Sequence, residues 1–136
     1  DNVEFKLNLD DTIPDIIADR GLLRQALNNL ITNAVQAITG PGSITVRSWF
    51  DSQAGEVVVS VEDTGPGVDE KDLENIFEPG WTSGKNGTGL GLAIVEKIVF
   101  EHNGRIRCTS LKGEGAVFEI RLPLNSGVKN GSNTDS

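Results

Sequence analysis

Thirty residues in the middle of the chain, Asp63–Leu92, read DTGPGVDEKDLENIFEPGWTSGKNGTGLGL and hold seven glycines and two prolines. So much permissive backbone cannot lie inside one regular element. It divides the 136-residue chain into two halves that must share a core, and a connection of this length is either functional or disordered. The flanks decide between these. Both are apolar at regular spacing, so the loop is anchored at each end.

Ahead of the loop, VEFKLNL alternates Val3, Phe5, Leu7 and Leu9 with polar residues, the pattern of a half-buried strand. Asp19 can cap a long helix that ends near Gly40. Leu23, Ala26, Leu27, Leu30, Ile31, Ala34 and Ile38 supply its apolar face at helical spacing. GSITVRSWF and EVVVSVED read as two strands joined by a turn at Ser52–Gly55. Within the loop, DEKDLENIF reads as a short helix capped by Asp69. After it, Leu90–His102 reads as a second long helix with Leu90, Ile94, Val95, Ile98 and Val99 inward. GRIRCTSL and AVFEIRLPL close the chain as a hairpin through Lys112–Gly115. Hairpins dominate, so the expected fold is an α/β two-layer sandwich: a mixed, largely antiparallel sheet with helices on one face. Residues 1–125 form the expected domain and 126–136, polar and glycine-rich, an expected disordered tail. Without any methionine and with Asp1 first, the chain reads as a piece of a longer protein.

Composition removes several classes of function. A net charge of -8 without a basic patch disfavours nucleic acid and anionic membrane surfaces. No apolar run approaches the roughly twenty residues that span a bilayer. The sole cysteine, Cys108, forbids an internal disulfide and reads as a packed thiol.

Three local patterns carry chemistry. Gln25, Asn29, Asn33 and Gln36 lie four, four and three residues apart, which at about 100° per residue puts them on one stripe beside the apolar face. Asparagine is a poor helix former, so this seam suggests a ligand or metal; Asn33 offers a neutral carbonyl oxygen suited to Mg²⁺. In VVVSVED, Asp63 shares a strand face with Val57, Val59 and Val61, which places a carboxylate at the edge of the core. Such a group needs a donor, and an amino group on a planar base would serve; Gly65 and Gly67 leave room for the base beside the backbone. Finally, GTGLGLAIV sets Gly87, Gly89 and Gly91 at a helix start, where unpaired N–H groups and the helix dipole favour phosphate. The spacing is neither that of a dinucleotide fold nor that of a P-loop, and the protein-kinase HRD and DFG motifs are absent. Between the glycine runs, Phe77 and Trp81 are apolar anchors and Lys85 could reach a phosphate, the makings of a lid.

In this order the motifs resemble those of the catalytic ATP-binding domain of bacterial sensor histidine kinases, within the group that includes gyrase, the ninety-kilodalton heat-shock chaperone and the MutL ATPases. QALNNLITNAVQA resembles the N box, DTGPGV the first glycine box, IFEPGWTSGK the phenylalanine box, GTGLGLAIV the second glycine box and GEGAVFEIRLP the closing hairpin. The detail leans toward the nitrogen-regulation type. The resemblance implies that Asp63 binds the adenine amino group, with Gly65, Gly67 and Val68 beside it. Asn33 ligates Mg²⁺, and Asn29 lies near the γ-phosphate as the catalytic position. Gly87, Thr88, Gly89, Leu90 and Gly91 hold phosphates and Lys85 neutralises them. Two positions depart from the pattern: Ala116 stands where threonine is frequent and Gln36 where lysine is frequent. Hydrolysing relatives carry a glutamate where this chain has Asn29, and an amide cannot take a proton from water. The expectation is therefore transfer of the γ-phosphate to a histidine on a separate dimerisation domain of the same parent, and from there to a response regulator in the cytoplasm. The sole histidine, His102, reads as a helix-end cation and not as the acceptor. A non-catalytic ATP-sensing module and an anti-sigma-type serine kinase stand as alternatives.

Overall fold

The computed structural model describes residues 3–81, 90–110 and 113–124. Strand β1 (Val3–Leu9) leads into helix α1 (Arg20–Ala37), then the strands β2 (Gly42–Asp51) and β3 (Glu56–Asp63). Helix α2 (Gly91–Glu101) and strands β4 (Arg105–Ser110) and β5 (Ala116–Pro123) complete the domain. The sheet order is β1-β2-β3-β5-β4. β1 runs parallel to β2, as a helical crossover requires, and the other pairings are antiparallel. The mixed, largely antiparallel sheet matches the sequence expectation.

Helix α1 begins where Asp19 caps it: Asp19 Oδ1 accepts the Leu22 N–H at 2.9 Å. It stops at Ala37, earlier than expected, because Ile38 turns extended (φ -88°, ψ 128°). Ala26, Leu30 and Ala34 point into the core. Opposite them are Leu92, Val95, Ile98 and Val99 of α2 and, from the sheet, Ile44, Val46, Val61, Phe118, Ile120 and Leu122. Helix α2 ends in a Schellman arrangement: Asn103 is left-handed (φ 61°), while Gly104 N–H reaches the Val99 carbonyl at 3.0 Å and Asn103 N–H that of Phe100 at 2.9 Å.

Four further sequence expectations change. Phe5, Leu7 and Leu9 are not half-buried: they are 54%, 66% and 56% exposed. They share the sheet face of Ile44 and Val46, but α1 lies over β2 and β3 and no described helix crosses β1. The segment from Asp69 forms one 3-10 turn, Glu70–Asp72, capped by Asp69. Successive i→i+3 bonds then run through Asn75, Glu78 and Trp81; so short a segment cannot repay helix nucleation. Leu90 is exposed, because it is the N-cap of α2 and precedes the turn that faces the core.

His102 is the fourth. It is fully buried. Its Nε2 accepts the Asp19 N–H at 3.0 Å, so the ring carries its proton on Nδ1, which donates to the Ile98 carbonyl at 2.8 Å. A neutral imidazole therefore ties the end of α2 to the start of α1, in place of the expected helix-end cation. Replacing His102 by Ala orphans a backbone N–H and opens a cavity. The expected loss is about 3 kcal/mol of unfolding free energy, read from chemical denaturation.

Candidate functional site

Asp63 is 4% exposed and shares its strand face with buried Val57 and Val61 and half-buried Val59, while Val58 and Ser60 on the other face are buried too, so β3 is covered on both sides. Asp63 sits level with Ile44 on one neighbour and Ala116 on the other. Asp63 Oδ1 accepts the Gly65 N–H at 2.8 Å, and the Ala116 amide also donates to this carboxyl. Burial still dominates and pushes its pKa above the ordinary carboxylate value, with the two amides acting the other way.

Gly65 is required where it stands. A Cβ there would lie 2.9 Å from the Ala37 carbonyl oxygen and 3.1 Å from Asp63 Oδ1. Gly67 turns the chain with φ 77°. The following residue is then strapped to the far hairpin: Val68 N–H donates to Ser110 Oγ at 2.7 Å, and Ser110 Oγ donates to the Gly115 carbonyl at 2.7 Å. Gly113 N–H meets the Pro66 carbonyl nearby. The first glycine box is thus a fixed wall.

These elements enclose a cavity of about 400 Å³, within the range of small-molecule sites. Asn33 and Ala37 of α1 form one side. Asp63, Ala116 and Phe118 contribute from the sheet, Pro66, Gly67 and Val68 from the loop, and Asp69, Asp72, Ile76, Trp81 and Leu92 complete the lining. Phe77 packs edge-to-face on Phe118 with centroids 6.2 Å apart, and Trp81 is half-buried against the core; both anchors behave as their positions suggest.

Of the site residues expected from sequence, Asn33, Asp63, Gly67 and Val68 line the cavity, and Gly65 backs Asp63. Asn29 does not line it. Its Nδ2 donates to the Gly91 carbonyl at 3.4 Å, joining the polar seam of α1 to the first turn of α2. Leu90 and Gly91 lie at that junction. Lys85, Gly87, Thr88 and Gly89 lie outside the described residues, as do most of the proposed lid and the tail. Gln25 and Gln36 are exposed. Sequence reading missed Ala37, Asp69, Asp72, Ile76, Leu92 and Phe118 as site residues. Ile76, Leu92 and Phe118 look like ordinary core in sequence, and Asp72 carries no signal beyond following the cap Asp69 by three. Cys108 is half-buried, and burial followed by the Asp63 charge pushes its thiol to about 12, consistent with a packed thiol.

A buried carboxylate, a glycine wall and one amide of α1, Asn33, meet around one cavity of this two-layer sandwich. The comparisons place the fold in a family. The family described as "Histidine kinase-, DNA gyrase B-, and HSP90-like ATPase" matches residues 18–126. The signal transduction histidine-protein kinase AtoS of Escherichia coli K12 is 44% identical over 90% of the chain, which covers 20% of that protein. The sensor histidine kinase ZraS of Escherichia coli O157:H7 is 46% identical over 90% of the chain, which covers 26% of it. The chain thus spans about a fifth to a quarter of these curated relatives. Among solved structures, full-length ShkA in complex with AMPPNP superposes with TM-score 0.81 at 34% identity, over 93% of this chain and 26% of that one. A nucleotide-free catalytic domain of histidine kinase ThkA gives TM-score 0.80 at 35% identity, over 92% and 81% of the two chains. The chain belongs to this ATPase family, as the catalytic ATP-binding domain of the sensor histidine kinase type. No helix among the described residues is long and apolar enough to cross a membrane.

The raised Asp63 pKa fixes the sign of a stability effect. Between the ordinary carboxyl value of 3.8 and the higher native value, the folded chain holds a proton that the unfolded chain has released. The contribution of Asp63 to stability therefore falls as pH rises through that window. Asp63→Asn removes the buried charge. Without ligand at neutral pH the variant should melt no lower than the parent, and its advantage should shrink toward pH 3. Calorimetric melts across pH measure both.

Proposed function

We propose that this domain binds Mg²⁺-ATP and donates its γ-phosphate to a histidine on a separate dimerisation domain of the same parent, for onward transfer to a response regulator. The observation that carries the reading is the buried Asp63 carboxylate, held by two backbone amides and lining one cavity together with Asn33. A carboxylate placed so accepts a hydrogen bond from an exocyclic amino group such as that of adenine and has no donor for a ring carbonyl.

The cation fits the donor set. Asn33 gives a neutral amide oxygen, and no group of three or more His, Cys, Asp or Glu gathers among the described residues. Mg²⁺ would thus take one protein oxygen and draw its other ligands from phosphates and water, as it prefers, and it would neutralise the transferring phosphoryl group. Asn29 and the first amides of α2 at Leu90 and Gly91 lie next along the seam, in line for the phosphates. By the family pattern Gly87, Thr88, Gly89 and Lys85 join them. With an amide at Asn29, water has no base there, so transfer to an imidazole nitrogen is favoured over hydrolysis. ThkA has been solved in complex with the response regulator protein TrrA, which supports a similar downstream partner here.

Titration calorimetry with ATP and Mg²⁺ tests binding, and label transfer from γ-labelled ATP to an added histidine-bearing helical hairpin tests donation. Asp63→Asn should lower ATP affinity at least tenfold, and Asn33→Ala should remove its Mg²⁺ dependence. ATP binding without any label on the hairpin would leave a nucleotide-sensing module.

A further inference from the structure

Two aromatic side chains line the cavity, Phe118 and Trp81, and only one has a face to offer. Phe118 is 3% exposed, and the edge-to-face contact with Phe77, at 88° between planes, commits its ring to the core. Trp81 packs against the same core but remains half-open. Its backbone is fixed by an N–H bond to the Glu78 carbonyl at 3.1 Å, and that turn hangs from Ile76, which is 1% exposed. The indole is therefore a large flat surface on a pinned backbone, beside the cavity that Asp63 closes.

We infer that Trp81 is a base-contacting residue: the purine packs on its indole while Asp63 holds the amino group. This deepens the nucleotide reading above and rests on it. Asp63 reads the edge of the base, which cytosine also supplies as an amino group; the indole rewards ring area, which favours a purine over a pyrimidine. Together the two residues favour an amino-bearing purine over cytosine.

The chain supplies its own reporter. Its other tryptophan, Trp49, pairs with Val58, on the sheet face away from Asp63, so Trp49→Phe leaves Trp81 as the sole indole. In that variant adenosine alone should quench the emission saturably, ATP should do so with the midpoint found by calorimetry, and inorganic tripolyphosphate should not. Trp81→Leu should weaken ATP binding about tenfold, Trp81→Phe should restore most of it, and the ATP-over-CTP preference should narrow in the leucine variant. If calorimetry shows ATP uptake while Trp81 emission is unmoved, or if tripolyphosphate alone reproduces the quench, the stacking role is overturned and the nucleotide reading stands. If ATP is not taken up at all, both fall.

Discussion

A carboxylate kept out of water is the constraint around which this domain is arranged. Asp63 ends a strand whose valines are core, and burial opposes its charge. Two backbone amides, from Gly65 and Ala116, make that position tenable. Each demands something of the chain around it. The Gly65 amide can reach back only because the residue has no Cβ to meet the Ala37 carbonyl. The Ala116 amide is available because β5 pairs with β3 in the register that sets Ala116 against Asp63. The first glycine run and the closing hairpin, fifty residues apart in the chain, are thus both supports of one side chain.

The same economy explains the helices. α1 carries an apolar stripe downward and a polar seam sideways, and the two stripes do different work. The apolar one covers the sheet. The polar one meets α2 through Asn29 and Gly91, and meets the cavity through Asn33. His102 fixes the opposite end of the helix pair, where its neutral ring joins the Asp19 amide to the Ile98 carbonyl. The helices are therefore tied by polar bonds at two separated points, with apolar packing between, and the angle that opens the cavity is set from both ends.

Much of this was legible in sequence because it follows from short-range periodicity. The strand alternation of VVVSVED predicted the facing of Asp63, and the four-residue spacing of Asn29 and Asn33 predicted that they share one stripe of α1. What escaped depends on distant pairing. The exposure of Phe5, Leu7 and Leu9 cannot be read from their alternation, since it reflects where α1 lies across the sheet. The state of His102 depends on an amide 83 positions earlier. Asp72, Ile76 and Phe118 reach the cavity through tertiary placement alone, and their local sequence looks like surface or core accordingly.

In the nucleotide reading proposed above, a chain of net charge -8 must keep its own negative charges from those of the ligand. Asp63, Asp69 and Asp72 all line the cavity, whereas the seam that leads away, Asn29 and Asn33, is neutral and ends at the positive pole of α2. A triphosphate lying against these carboxylates would meet like charge, at a cost that grows as water is excluded. In the proposed reading the phosphates lie along the neutral amides with Mg²⁺, and the acidic lining would favour that direction for the nucleotide.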